Sequence, residues 1–143
     1  MSDPGEAVPP PPEGFSPSAR GPYTTHNGPM FHRNGPDGFE HAFFALHRHC
    51  NSMGIVHGGM IATFMDGVLA RACHGATGGH AAVTVHLSLD FLSAGRAGEW
   101  LMGDGRVTRQ TRDLVFVEGR IRVGEREVAR ASAIFKPLRR KID

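Results

Sequence analysis

The run Asn51-Ser-Met-Gly-Ile-Val-His57-Gly58-Gly59-Met60-Ile-Ala-Thr-Phe-Met-Asp66-Gly-Val-Leu-Ala-Arg71-Ala-Cys73 sets a few polar groups inside apolar sequence. From Asn51 to Gly95 the only formal charges are Asp66, Arg71 and Asp90. At about 100° per residue, Ile61, Phe64, Met65, Val68, Leu69 and Ala72 fall within an arc of about 140°, the apolar face of an amphipathic helix. The pattern predicts that helix from about Gly59 to His74. Asp66 points away from the arc, beside Ala62, Ala70 and Cys73, small residues that admit a second element where a solvated face would carry Lys and Glu. A carboxylate in such surroundings is costly to desolvate unless something binds it.

Gly58 and Gly59 precede the apolar run, so the first-turn N–H groups are left unshielded. A helix N-terminus with free donors favours negative charge, which suits an oxyanion. The same two glycines would also serve a plain strand-to-helix turn, with Asp66 a satisfied core acid.

After the helix the period changes to two. Val83, Val85, Leu87, Leu89 and Phe91 alternate with Thr84, His86, Ser88 and Asp90, the signature of a half-buried strand. Further strands read as 99–108, 114–123 and 127–137, with turns at Gly124-Glu125 and Arg112-Asp113, and 41–50 reads as a strand before the helix. Strand, helix, then four strands in antiparallel succession predicts an α+β fold, a curved antiparallel sheet of about five strands around one long central helix. One such sheet cannot cover every side of the helix, which predicts a dimer with a joined sheet.

The spacing Asn51-x-x-Gly54-x-x-His57-Gly58-Gly59, with Asp66 seven residues on and Thr84 on a later strand, resembles the PaaI-type acyl-CoA thioesterases of the hotdog superfamily. The likeness runs from about Gly38 to Pro137 and implies the hotdog fold. It implies that His57 and the Gly58 N–H sit at a thioester, with Gly59 beside them on the substrate. It implies that Asn51 holds the carbonyl or an attacking water, that Asp66 acts as base or nucleophile from the neighbouring subunit, and that Thr84 assists the water. The substrate would be an acyl-CoA, with coenzyme A part of it and no separate cofactor, and the chain would be a homodimer or a dimer of dimers. The competing class is a hotdog protein that binds acyl-CoA as a sensor or carrier without turnover. A pure binder needs no carboxylate beside the thioester, which favours the enzyme.

With 143 residues, 40% of them hydrophobic, and no apolar run near 18 residues, the chain predicts one domain without a transmembrane helix. No secretory signal is visible at its start. Cys50 and Cys73 form neither a C-x-x-C nor a disulfide framework, which fits the cytoplasm. All but one of the ten prolines lie within the first 36 residues. Residues 1–37 therefore read as a flexible arm, polyproline-like to about Ser18, followed by an irregular lead-in, too poor in apolar side chains to build a core; 38–143 would be the thioesterase domain that the resemblance implies.

Residues 1–95 carry four Lys or Arg against seven acids, and 96–143 carry twelve against seven. Arginine offers a planar fork to phosphate, so Arg109 and Arg112, with Arg106 and the Arg139-Arg140-Lys141 tail, are candidates for contacts to the CoA phosphates. Aromatics do not interleave with these arginines, which argues against nucleic acid. Nine His residues invite a metal reading, but no H-E-x-x-H occurs and no cysteine pair has ligand spacing. No metal is expected. G-x-S-x-G and G-x-x-x-x-G-K are likewise absent. His86 is expected on a central strand in a structural role.

Overall fold

A computed structural model describes residues 6–36 and 38–138. In chain order it runs β1 (Ser16–Pro17), α1 (Pro22–Asn27), β2 (Met30–Gly35), β3 (Gly38–Phe44), a 3₁₀ turn (His47–His49), α2 (Gly58–Ala76), β4 (Ala82–Phe91), β5 (Trp100–Gln110), β6 (Val115–Val123) and β7 (Arg126–Pro137). The strands form one antiparallel sheet in the order β1-β2-β3-β5-β6-β7-β4, wrapped on the long helix α2.

Helix α2 decides this topology. It carries the chain from β3 across the sheet to the far edge, so β4 pairs with β7, and β5 returns to pair with β3. The expected succession of four neighbouring strands is corrected accordingly: β4 is an edge strand, and His86 lies exposed on that edge. Val83, Val85 and Phe91 on β4 are 48%, 56% and 59% exposed. A long, apolar, unpaired edge is a template for another strand.

The sheet has seven strands where five were expected, because the proline-rich lead-in holds two of them. Met30 to Gly35 pair residue by residue with Phe43 back to Gly38, and the short β1 pairs with β2 at the sheet edge, where proline is tolerated. The reading of 41–50 as one strand is also corrected. β3 ends at Phe44 and His47–His49 form a turn, so His41, His47 and His49 do not share a strand face.

Met60, Ile61, Phe64, Met65, Val68, Leu69 and Cys73 of α2 are buried against Phe43, Leu101, Val117, Ile121 and Phe135 of the sheet. Cys73, placed beside Asp66 on the helical wheel, is fully buried, so the covered face turns round the helix from Met60 at its start to Cys73 near its end. A twisted sheet covers a straight helix in this way. The closest approach falls on glycines: an added Cβ at Gly103 would stand 2.8 Å from Val68, and one at Gly119 would stand 2.5 Å from Leu69.

A second, smaller cluster joins Phe15, Phe31 and Ala42, with Val8, Trp100 and Met102 against it. The arm therefore does contribute to a core. Residues 1–5, at the tip of the expected arm, and the Arg139-Arg140-Lys141 tail lie outside the described residues.

Candidate active site

The loop Asn51–His57 is tied by its own side chains. The Asn51 Oδ1 accepts from the N–H groups of Met53 (2.9 Å) and Ile55 (3.2 Å), an Asx turn in which Gly54 adopts a φ of +73°. With the oxygen engaged, the Asn51 amide N–H₂ is the part of the group able to donate to a ligand. His57 is the N-cap of α2: its Nδ1 accepts from the Gly59 N–H at 2.8 Å. An accepting Nδ1 fixes the neutral tautomer that carries its proton on Nε2, so the outward edge of the ring is a donor. A Cβ at Gly59 would stand 3.0 Å from that Nδ1, so glycine here keeps the cap in place. The Gly58 N–H takes no part in the cap. His57, Gly58 and Gly59 are all exposed; with the Gly59 N–H engaged in the cap, the Gly58 N–H and the His57 Nε2–H are the donors left at the helix start.

Asp66 lies on α2 eight residues beyond Gly58, and its Oδ1 accepts from the Thr84 hydroxyl on β4 at 2.7 Å. The half-buried carboxylate is thus held by one charge-assisted bond, and the lone pairs on the Thr84 oxygen are left for a water. At about 1.5 Å of rise per residue, Asp66 sits roughly 12 Å along the helix from Gly58. Within one chain the site residues therefore fall into two separate sets: Asp66 bonded to Thr84, and the helix start His57, Gly58 and Gly59 with Asn51 on the loop that leads into it, a loop closed by the Asn51 N–H to the Ile55 carbonyl and the His57 N–H to the His49 carbonyl. One carbonyl cannot touch both.

Arg109 and Arg112 are exposed at the β5–β6 turn. Register links that end of the sheet to the carboxylate: Gln110 pairs with Val115, Val115 with Phe135, and Phe135 with Thr84. Arg106 instead pairs with Glu118 at 3.6 Å on the sheet surface. The sequence reading missed Phe91 as a site residue. Its ring lies 3.5 Å from where a Gly58 Cβ would stand, covering the helix start. Alternation put Phe91 on a strand face, but only the edge position of β4 brings it there. Burial raises the pKa of both the Cys50 and Cys73 thiols, which keeps them protonated and removes them as nucleophiles.

The family model of the thioesterase superfamily matches residues 53–130. "Putative esterase PA0474" of Pseudomonas aeruginosa is 37% identical over 129 residues, which is 87% of this chain and 95% of that protein. Among solved structures, a "putative thioesterase, phenylacetic acid degradation-related protein" from Ralstonia eutropha JMP134 superimposes with a TM-score of 0.72 at 28% identity, over 82% of this chain and 92% of its own. The BH2602 protein of Bacillus halodurans, solved with CoA, gives 0.70 at 25% identity, over 77% of this chain and 74% of its own. With the seven-stranded sheet on one long helix, these matches define a hotdog protein. The chain belongs to the thioesterase superfamily.

Proposed function

We propose that this protein hydrolyses an acyl-CoA thioester to a free carboxylic acid and CoA, in a site completed by a second copy of the chain. The observation that carries the reading is the separation of the two polar sets: a carboxylate held by the Thr84 hydroxyl, and a helix start with donors that, among the described residues, meets no carboxylate, about 12 Å apart on one helix. Pairing two copies through their β4 edges would bring each Asp66 to the other chain's helix start and cover the exposed apolar side chains of that strand.

In such a site the Gly58 N–H at the positive helix end and the His57 Nε2–H donate to the thioester oxygen and stabilise the oxyanion as it forms. The Asn51 amide orients the carbonyl or the water. Asp66 takes a proton from a water that Thr84 accepts from, or attacks the carbonyl carbon itself to give a mixed anhydride that water then cleaves. The C–S bond breaks and the CoA thiolate takes the proton that Asp66 drew from water or, in the anhydride route, a proton from solvent. Phosphate contacts fall to Arg109 and Arg112, in keeping with the CoA held by the Bacillus halodurans relative. Coenzyme A enters as part of the substrate, and no separate cofactor or metal takes part. The two free cysteines suit a reducing compartment, and the activity is assigned to the cytoplasm.

The test is thiol release from a panel of acyl-CoA esters by the wild type and by Asp66→Asn. Turnover by the wild type with a kcat lower by at least about 10²-fold in the variant, the size expected for loss of a positioned base, is the expected outcome. Acyl-CoA binding without turnover by the wild type would overturn the reading in favour of a binder.

A further inference from the structure

One turn of helix beyond Asp66 a cavity of about 530 Å³ opens between α2, β2, β3 and the start of β4. Its polar lining is cationic or histidine: Arg20, His32, His41, Arg71, His74 and His80, with Ser18 and no Asp or Glu. Among the described residues, most arginines in the second half of the chain are paired: Arg106, Arg120, Arg122, Arg126 and Arg130 each meet a carboxylate, as do Arg33 and Arg48 earlier. Arg20 and Arg71 meet none among the described residues, although both are half-buried. Arg20 donates to the Gly67 carbonyl at 3.4 Å and lies 3.5 Å from the His41 Nδ1. Arg71 lies over the Phe39 ring at 3.9 Å and 3.2 Å from the His74 Nδ1.

Two guanidinium groups held near each other without a counter-ion are unfavourable, and an anion between them would relieve that cost. Burial and the neighbouring Arg71 depress the Arg20 pKa, as expected of a cation short of a partner. The histidines do not turn this into a metal site: among the described residues no three His, Cys, Asp or Glu side chains converge to hold an ion.

The position of the cavity says which anion. Ala70, in its wall, is one turn along α2 from Asp66, and Ala82 is two residues before Thr84 on the same face of β4. Asp66 and Thr84 do not line the cavity themselves, but its wall starts one helical turn from the one and two strand residues from the other, and Arg20 reaches the carbonyl of the residue after Asp66, Gly67. The pantetheine arm keeps the CoA phosphates much farther from the thioester than one helical turn, about 5.4 Å. An anion on the acyl side fits this distance. We infer that the Arg20–Arg71–His41 cavity takes the free carboxylate of an acyl group that is itself an acid, so that the substrate is a monothioester of CoA with a short dicarboxylic acid. This rests on the thioesterase reading above for the position of the carbonyl.

Calorimetric titration of the wild-type protein with succinate, butyrate and inorganic phosphate tests the cavity without requiring turnover. Succinate is expected to bind at least about tenfold more tightly than butyrate or phosphate, and Arg71→Gln to weaken succinate at least about tenfold, the effect of losing a charged hydrogen-bond partner. The same pair of proteins is then assayed with succinyl-CoA and butyryl-CoA. The ratio of their kcat/KM values favours succinyl-CoA in the wild type and collapses in the variant. Equal binding of succinate and butyrate, tighter binding of phosphate, or a KM raised alike for both esters would overturn the assignment, the last two by making the cavity a phosphate site. Succinate binding that depends on Arg71, with no ester hydrolysed, would instead sink the thioesterase reading and leave the anion site standing. Circular dichroism and the Tm of Arg71→Gln check its fold, and Arg71→Lys, which retains the charge, should recover part of the succinate binding.

Discussion

Among the described residues Asp66 is hydrogen-bonded by one side chain, the Thr84 hydroxyl at 2.7 Å, so the geometry of the carboxylate depends on one residue of an exposed edge strand. Thr84→Val keeps the shape and removes the bond. It should lower kcat by about 10–100-fold, the range for a hydrogen bond to a charged group, while leaving the circular dichroism unchanged. A variant with wild-type kcat would take Thr84 out of the mechanism. His41 offers a second measurement at this scale. Burial, followed by Arg20, His32 and Arg71, lowers its pKa from 6.5 to about 3. The folded protein therefore keeps His41 neutral where the unfolded chain would protonate it, so its contribution to stability is complete above pH 6.5 and is lost as pH falls towards 3. Burial also lowers the pKa of His49, with the same sign. Thermal melts from pH 7 to 4 should show Tm falling with pH, and His41→Gln should flatten that slope. An unchanged slope in the variant would assign the acid sensitivity elsewhere. At this scale the sequence showed which residue types stand at which spacing, Asn51, His57, Gly58, Asp66 and Thr84 among them. It could not show that the Asn51 oxygen is used by its own loop or that Thr84 grips Asp66, because both depend on side-chain placement across elements.

Helix α2 was legible because its apolar residues recur at helical spacing through nineteen residues, and β4, β6 and β7 because theirs alternate. What the periodicity hid is how closely the two layers approach. Gly103 and Gly119 give no periodic signal, yet they are where Phe64, Val68 and Leu69 press on the sheet. Gly119→Val would drive its side chain into Leu69, the Met65 sulfur and the Asp104 carbonyl, with no room for repacking. The expected cost is about 1–3 kcal/mol, the usual range for overpacking, seen as a lower denaturation midpoint with an unchanged m-value. Equal stability would show that the helix can move off the sheet at little cost. β1, β2 and α1 escaped the reading for a different reason. Their strands are short, β1 holding Pro17 and β2 flanked by Pro29 and Pro36, and lie at a sheet edge, where backbone pairing with β3 outweighs local composition. Strand order was equally hidden, since the crossover made by α2 leaves no mark on spacing.

For the whole molecule, the N-terminal arm and the missing half of the site make opposite demands. Composition suggested that residues 2–18 could be removed freely, but Phe15 is buried with Phe31 and Ala42, and Glu6 meets Arg48 at 3.0 Å. Deleting residues 2–18 should therefore lower the Tm by at least about 5 °C, since burial of one aromatic side chain contributes about 1.5–3 kcal/mol. An unchanged Tm would mean that the second cluster adds no stability. The site calls for a test on mixed molecules. If Asn51 and His57 of one chain meet Asp66 of another, inactive Asn51→Ala and inactive Asp66→Ala chains should regain activity when combined in one dimer. One of the two sites then carries both lesions and the other carries none, so turnover should approach half the wild-type value per mixed dimer if the sites act independently. If each site were built within a single chain, every site would keep one lesion and mixing would restore nothing. Co-expression with two affinity tags, tandem purification and a thiol-release assay measure this directly. The roughly 12 Å between the Gly58 N–H and Asp66 along one helix is the reason to expect recovery. An inactive mixed dimer would mean that the helix start and the carboxylate of the same chain reach one substrate by a rearrangement of α2 or β4.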